Sequence, residues 1–159
     1  SLSTKVQNLE VFSLQLIKVT DAGLKEVAKL RKLRGLYLTN SKVTDAVIKE
    51  VIKLRHLAQI GLGGTFITDA GLKDVAKLQN LTSLNLNHTK ITDAGLKDVT
   101  KLQNLWSLNL GATRITDAGL KEVTKLQDLW SLDLKGTQVT KAGVAELKRA
   151  LPNCKITGP

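Results

Sequence analysis

The amino-acid sequence predicts an α/β protein, a right-handed solenoid with a parallel sheet on one face and short helices on the other. Three observations predict it. The phrase Thr20-Asp21-Ala22-Gly23 returns as Thr44-Asp45-Ala46, Thr68-Asp69-Ala70-Gly71, Thr92-Asp93-Ala94-Gly95 and Thr116-Asp117-Ala118-Gly119, and in altered form as Thr140-Lys141-Ala142-Gly143, always 24 residues apart. Residues 68–91 laid over 92–115 agree at 19 of 24 positions, too many for chance, so the chain consists of copies of one unit. Within each unit the apolar period changes from the steps of three of a helical stripe to the alternation of a strand. Such a unit cannot bury its stripe alone; stacking on its neighbours does so, and strand–helix–strand crossovers are right-handed. Apolar residues are 42% of the 159, enough for the core this requires, and aromatics are 3%, so that core is aliphatic.

Taken in order, the chain opens with a strand that holds Phe12 and Leu14, after residues 1–7, which are too few to supply a helix. The N-terminal end is therefore expected to be incomplete, with more chain upstream or another molecule covering it. Val11 and Leu16 would then stand near an open edge strand, a pairing liability through which the protein is expected to self-associate. The helices that follow are expected to bury Leu24, Leu72, Val75, Leu96, Val99 and Leu120 on the convex side. In the unit beginning at Thr92, Leu96, Val99 and Leu102 form one stripe, and Thr92 or Asp93 can cap the helix by accepting a backbone N–H. Leu105, Leu108 and Leu110 then alternate into a strand, and Thr113 and Ile115 lead back to the next helix. Strands are expected to centre near Leu14, Leu38, Leu62, Leu86, Leu110 and Leu134. At about 4.8 Å apart, six or seven of them make a rod roughly 30 Å long. Val144, Leu147 and Leu151 continue the stripe, Pro152 stops it, and residues 154–157 supply a last strand with Ile156 in register with Leu132. Residues 141–159 thus read as a C-terminal cap with Cys154 as a small, partly buried member, and residues 1–159 as one domain of about six units.

The segment Leu81-Thr82-Ser83-Leu84-Asn85-Leu86-Asn87-His88-Thr89-Lys90-Ile91 resembles the leucine-rich repeat signature LxxLxLxxNxL, with Thr89 in the Asn position, and the resemblance extends over residues 6–157. The phrase ITDAGLK resembles the ribonuclease-inhibitor-like and cysteine-containing classes of that family, especially the 24-residue arrays of bacterial proteins such as those of planctomycetes. The resemblance implies a horseshoe with the sheet on its concave face. One departure is systematic: Ser41, Thr65, Thr89, Thr113 and Thr137 stand where the signature has Asn or Cys. A hydroxyl can still bond loop backbone, so the ladder in that column is expected to persist with a shorter arm. The family hosts many functions, so function must be argued from side chains.

Several function classes are excluded by what the chain contains. One cysteine makes no internal disulfide, no CxxC pair and no four-ligand zinc site, and no apolar run is long enough to span a membrane. His56 and His88 fall in different columns at opposite edges of the sheet, and no Ser or Cys stands beside a His with an orienting carboxylate. Neither an enzyme nor a cofactor is expected. Gly61-Leu62-Gly63-Gly64 is no phosphate loop, because Leu62 occupies a core position and no Lys-Ser/Thr follows; it reads as a bare, shallow gap in the sheet.

Comparing units separates scaffold from candidate recognition surface. Four of the five differences between residues 68–91 and 92–115 lie in or beside the sheet: Thr82/Trp106, Asn87/Gly111, His88/Ala112 and Lys90/Arg114. The central outward column runs Ser13, Tyr37, Gly61, Asn85, Asn109, Asp133, a polar surface with few large groups. Two of those few, Trp106 and Trp130, stand one unit apart where strands begin, close enough to stack, and exposed Trp is the residue most enriched at binding hot spots. The net charge is +10, but each helix carries a balanced set such as Asp93, Lys97, Asp98 and Lys101, expected to lace the convex surface with salt bridges. The surplus sits at Arg31, Lys32, Arg34, Arg55 and His56, where the second and third strands begin, with Lys18, Lys42, Lys90 and Arg114 along the loops leaving the strands. The expected function is a non-enzymatic protein-binding module whose concave face uses Trp106, Trp130, Tyr37, Arg34, Arg55, Asn85, Asn109 and Asp133, with a protein partner that carries an acidic patch. The competing readings are a polyanion or nucleic-acid binder using the basic rim, which too few aromatics support, and a structural or targeting segment of a larger protein.

Overall fold

A computed structural model describes residues 10–13, 19 and 21–159. Strands and helices alternate: β1 (Val11–Ser13), α1 (Asp21–Val27), β2 (Gly35–Tyr37), α2 (Asp45–Val51), β3 (Gln59–Gly61), α3 (Asp69–Val75), β4 (Ser83–Asn85), α4 (Asp93–Val99), β5 (Ser107–Asn109), α5 (Asp117–Val123), β6 (Ser131–Asp133), α6 (Lys141–Ala150) and β7 (Lys155–Thr157). The strands form one parallel sheet in chain order. The register advances by one unit per strand, so Leu36, Ile60, Leu84, Leu108, Leu132 and Ile156 are successive partners. The right-handed solenoid expected from the repeat is thus the observed fold, and Ile156 meets Leu132 as the C-terminal alignment requires. One apolar cluster runs from Val19 to Cys154, and Leu24, Leu72, Val75, Leu96, Val99 and Leu120 are all buried in it. Cys154 closes the far end, where burial pushes its thiol pKa up.

The strands centre two residues earlier than expected, on Leu36, Ile60, Leu84, Leu108 and Leu132 rather than Leu38, Leu62, Leu86, Leu110 and Leu134. Leu14, with Leu16 and Lys18, lies outside the described residues. The later leucines still donate one N–H each to the next strand, at 2.7–2.9 Å. Their carbonyls, however, turn away from the sheet. The hydroxyls of Ser41, Thr65, Thr89, Thr113 and Thr137 donate to the carbonyls of Leu38, Leu62, Leu86, Leu110 and Leu134, each at 2.6 Å. These bonds end the strand, and they also correct the expectation of a ladder in this column. A hydroxyl is too short to reach the neighbouring unit, so it closes its own turn instead.

The residue before each hydroxyl has left-handed φ: Asn40 at 59°, Gly64 at 66°, His88 at 54°, Ala112 at 52° and Gly136 at 69°. The His88/Ala112 difference therefore sits in a column with a backbone requirement. Asn tolerates this region and glycine enters it freely, but a Cβ crowds the following carbonyl. Ala112→Gly is expected to raise stability by about 0.5–1 kcal/mol in urea melts with an unchanged m-value.

Helices α1–α5 have seven residues each, too few to persist alone, so their stability comes from packing. Asp45, Asp69, Asp93 and Asp117 fasten one unit to the next. Each carboxylate accepts the backbone N–H of the threonine 23 residues on, at 2.8–2.9 Å, and its hydroxyl at 2.5–2.6 Å. The threonine oxygen then caps its own helix, accepting from Ala70, Ala94 and Ala118 N–H at 3.2–3.3 Å and from Gly143 N–H at 3.1 Å. Thr140's hydroxyl and backbone N–H together hold the Asp117 carboxyl below the usual carboxylate range. In α2, where Val47 replaces the glycine, Thr44 makes no side-chain cap bond.

This staple revises the picture of a convex face laced by four charges per helix. The second acid does pair with a lysine three residues on: Glu26–Lys29, Glu50–Lys53, Asp74–Lys77, Asp98–Lys101 and Glu122–Lys125, at 2.5–2.7 Å. In α2–α5 the first acid belongs to the next unit's threonine. Lys73, Lys97 and Lys121 form no ion pair among the described residues.

Candidate functional site

One backbone ladder organises the rim where strands begin. Ala58 N–H donates to Arg34 O, Thr82 N–H to Ala58 O, Trp106 N–H to Thr82 O and Trp130 N–H to Trp106 O, each at 2.8–2.9 Å. Arg34, Ala58, Thr82, Trp106 and Trp130 therefore form one row: a cation, two small residues and two indoles. Residues at this position in neighbouring parallel strands sit about 4.8 Å apart. The two indoles match that spacing, stacked with centroids 4.6 Å apart and planes 3° from parallel. Both stay open to solvent, Trp106 at 53% and Trp130 at 47%. The expected pair is present as a stack.

Beside the open face of Trp106 lies a shallow groove of about 660 Å³ lined by Asn80, Thr82, Asn104, Trp106 and Asp128. Asn80 Nδ2 donates to Arg55 O at 2.8 Å, and Asn104 Nδ2 donates to Gln79 O at 2.9 Å. Thr82 Oγ1 donates to Ala58 O at 3.2 Å. Of these, Trp106 is an expected site residue and Thr82 stands in the Thr82/Trp106 difference, but Asn80, Asn104 and Asp128 are not among the site residues expected from the sequence. Columns taken every 24 residues would have found them: Asn80, Asn104 and Asp128 form one, and Thr82 precedes Trp106 in another.

Tyr37 is half-buried, and its hydroxyl donates to Gln59 Oε1 on the next strand. Its ring covers Gly61, where an added Cβ would lie 2.9 Å from Cδ1. The glycine stretch is consequently not bare. Tyr37 fills the space over Gly61, Asn87 that over Gly63, and the Asn40 side chain crowds Gly64.

The rest of the predicted site divides. Arg34 and Arg55 are exposed, as are Arg31, Lys32 and His56. Asn85, Asn109 and Asp133 are only partly available, because one side-chain oxygen of each accepts a backbone N–H two residues on, from Asn87, Gly111 and Lys135 at 2.9–3.0 Å. That local turn holds the loop leaving the strand. It gives the column a structural reason that its outward position concealed. Tyr37 and the indoles stand three strands apart, β2 against β5, so the structure does not bring them into one cluster. Among the described residues, no group of three or more His, Cys, Asp or Glu is placed to hold a metal ion.

Residues 1–155 match the model of a family described as the leucine-rich repeat region. Among solved structures, a leucine-rich repeat protein of Leptospira interrogans is 27% identical with a TM-score of 0.70, over 94% of this chain and 37% of its own. An internalin of Listeria monocytogenes is 22% identical with a TM-score of 0.66, over 95% of this chain and 48% of its own, and shows a shared fold. The chain thus spans less than half the length of either. No curated protein sequence matches it.

Proposed function

Because the chain belongs to the leucine-rich repeat family, we propose that it is a non-catalytic module that binds a protein partner across the concave sheet. Trp106 and Trp130 serve as apolar anchors, while Arg34, Arg55 and Tyr37 meet an acidic or polar part of the same partner. The observation that carries this reading is the stacked indole pair, half open to water in a row that otherwise holds Arg34, Ala58 and Thr82. A folded chain gains little from two exposed indoles, whereas a partner gains their rigid area at low rotamer cost. Asn85, Asn109 and Asp133 contribute what their turn bonds leave free. The phrase ITDAGLK supports the ribonuclease-inhibitor-like or cysteine-containing class within the family.

The test is a pull-down from the native source followed by titration of the recovered partner. Trp106→Ala or Trp130→Ala is expected to weaken binding by about 2 kcal/mol or more. Arg34→Glu should act mainly on association rate and its salt dependence. Lys97→Glu, on the exposed side of α4, is the control. Normal binding by both tryptophan variants, with loss in Lys97→Glu, would move the site to the convex face. A steep collapse of wild-type affinity with salt would instead favour the polyanion reading through the exposed cations of the first units.

A further inference from the structure

We propose that the groove beside Trp106 receives the guanidinium of an arginine side chain presented by a polypeptide partner. The inference deepens the reading of Trp106 as an anchor and rests on it. In two successive units an asparagine ties the rim together, Asn80 to Arg55 O and Asn104 to Gln79 O. Both acceptors are carbonyls, which cannot donate, so the amide nitrogens must face them. In the next unit the same position is Asp128, whose equivalent partner would be Gln103 O. A carboxylate has no hydrogen to donate there. Asp128 forms no hydrogen bond or ion pair among the described residues, and no side chain reaches Gln103 O. The tie made in the two preceding units is missing here, where a negative charge stands on a protein of net charge +10.

The remaining groups of the groove select the occupant. The Thr82 hydroxyl proton is engaged by Ala58 O, and the Asn80 and Asn104 Oδ1 atoms have no partner and are not buried. Apart from the second hydrogen of each amide and the indole N–H of Trp106, the free polar groups are acceptors beside an unpaired carboxylate. The wall is the free face of an indole, since Trp130 covers the other. A flat cation with several N–H donors satisfies all of these together: it stacks on the indole, bonds the carboxylate and uses the amide oxygens. A lysine ammonium supplies the charge without the plane. An acidic segment is repelled by Asp128 and suits the Arg34–Arg55 region instead.

The experiment follows the two indole N–H resonances by NMR while N-acetyl-arginine amide, its lysine analogue and its uncharged citrulline analogue are titrated into the whole chain. The arginine probe is expected to shift the Trp106 signal saturably and more than that of Trp130. Asp128→Asn should weaken this by roughly threefold to fivefold. This variant restores the asparagine of the two preceding units, so an unchanged or higher melting temperature separates loss of the site from loss of the fold. Citrulline binding as well as arginine, or indifference of the arginine probe to Asp128→Asn, would overturn the guanidinium while leaving Trp106 as an apolar anchor. No shift of either indole with any probe, together with full partner binding by Trp106→Ala, would overturn both readings.

Discussion

Replacing Leu96 by alanine is expected to destabilise the protein by about 2–5 kcal/mol, the range for deleting a fully buried leucine side chain. Leu96 is 0% exposed, on the buried face of α4 between α3 and α5. Its side chain also reaches the next unit: a Cβ built at Gly119 would come within 2.9 Å of Leu96 Cδ1. The cavity therefore opens at a joint between two units, and rigid stacking on both sides limits collapse into it. In a solenoid, stability is a sum of unit and interface terms, so one weak joint divides the array. Denaturant melts should show the lower midpoint. Hydrogen exchange should show protection falling in α4 and α5 before the capped C-terminal end. A loss under about 1 kcal/mol would contradict this packing.

Gly95→Val should cost about 3 kcal/mol, as much as many core deletions, although it adds atoms and touches no strand. A Cβ at Gly95 would overlap the Asp69 carboxylate and lie 2.8 Å from Leu72 Cδ1. To make room, α4 must move off α3, which stretches the bonds from Asp69 to Thr92 N–H and Oγ1, now 2.9 and 2.5 Å. Once that carboxylate is displaced, Thr92 loses the partner that orients it as a cap for α4. Overpacking and loss of charge-assisted bonds thus act at one point. α2 is a natural comparison, since it carries Val47 in the glycine position and Thr44 lacks the side-chain cap bond there. Urea unfolding of Gly95→Ala and Gly95→Val should rank by side-chain size. Equal midpoints for wild type and both variants would show that the units do not approach this closely.

The Asp117–Thr140 staple is expected to be acid-sensitive. Its carboxyl is held below the ordinary range by Thr140, so the stabilisation is present above the unfolded-state pKa and is lost as pH falls through the lower folded value.

The period, the parallel strand order, the helix stripe and the buried leucines follow from the sequence alone, because a 24-residue repeat admits one way of burying an apolar stripe: stacking on an identical neighbour. The tie between Thr, Asp, Ala and Gly was visible as a recurring phrase, but its cause was not. It lies in a contact between a carboxylate of one unit and a threonine 23 residues later, which only the superposition of units creates. For the same reason Asn85, Asn109 and Asp133 looked free from the sequence, and Asp93 looked like part of a surface charge set. Partners of short polar side chains are set by a few tenths of an ångström of backbone placement, which periodicity does not encode. The tryptophan pair was legible because strand spacing by itself brings the two indoles together. The groove beside it was not, since it depends on which way two asparagine amides turn and on an aspartate that cannot turn the same way.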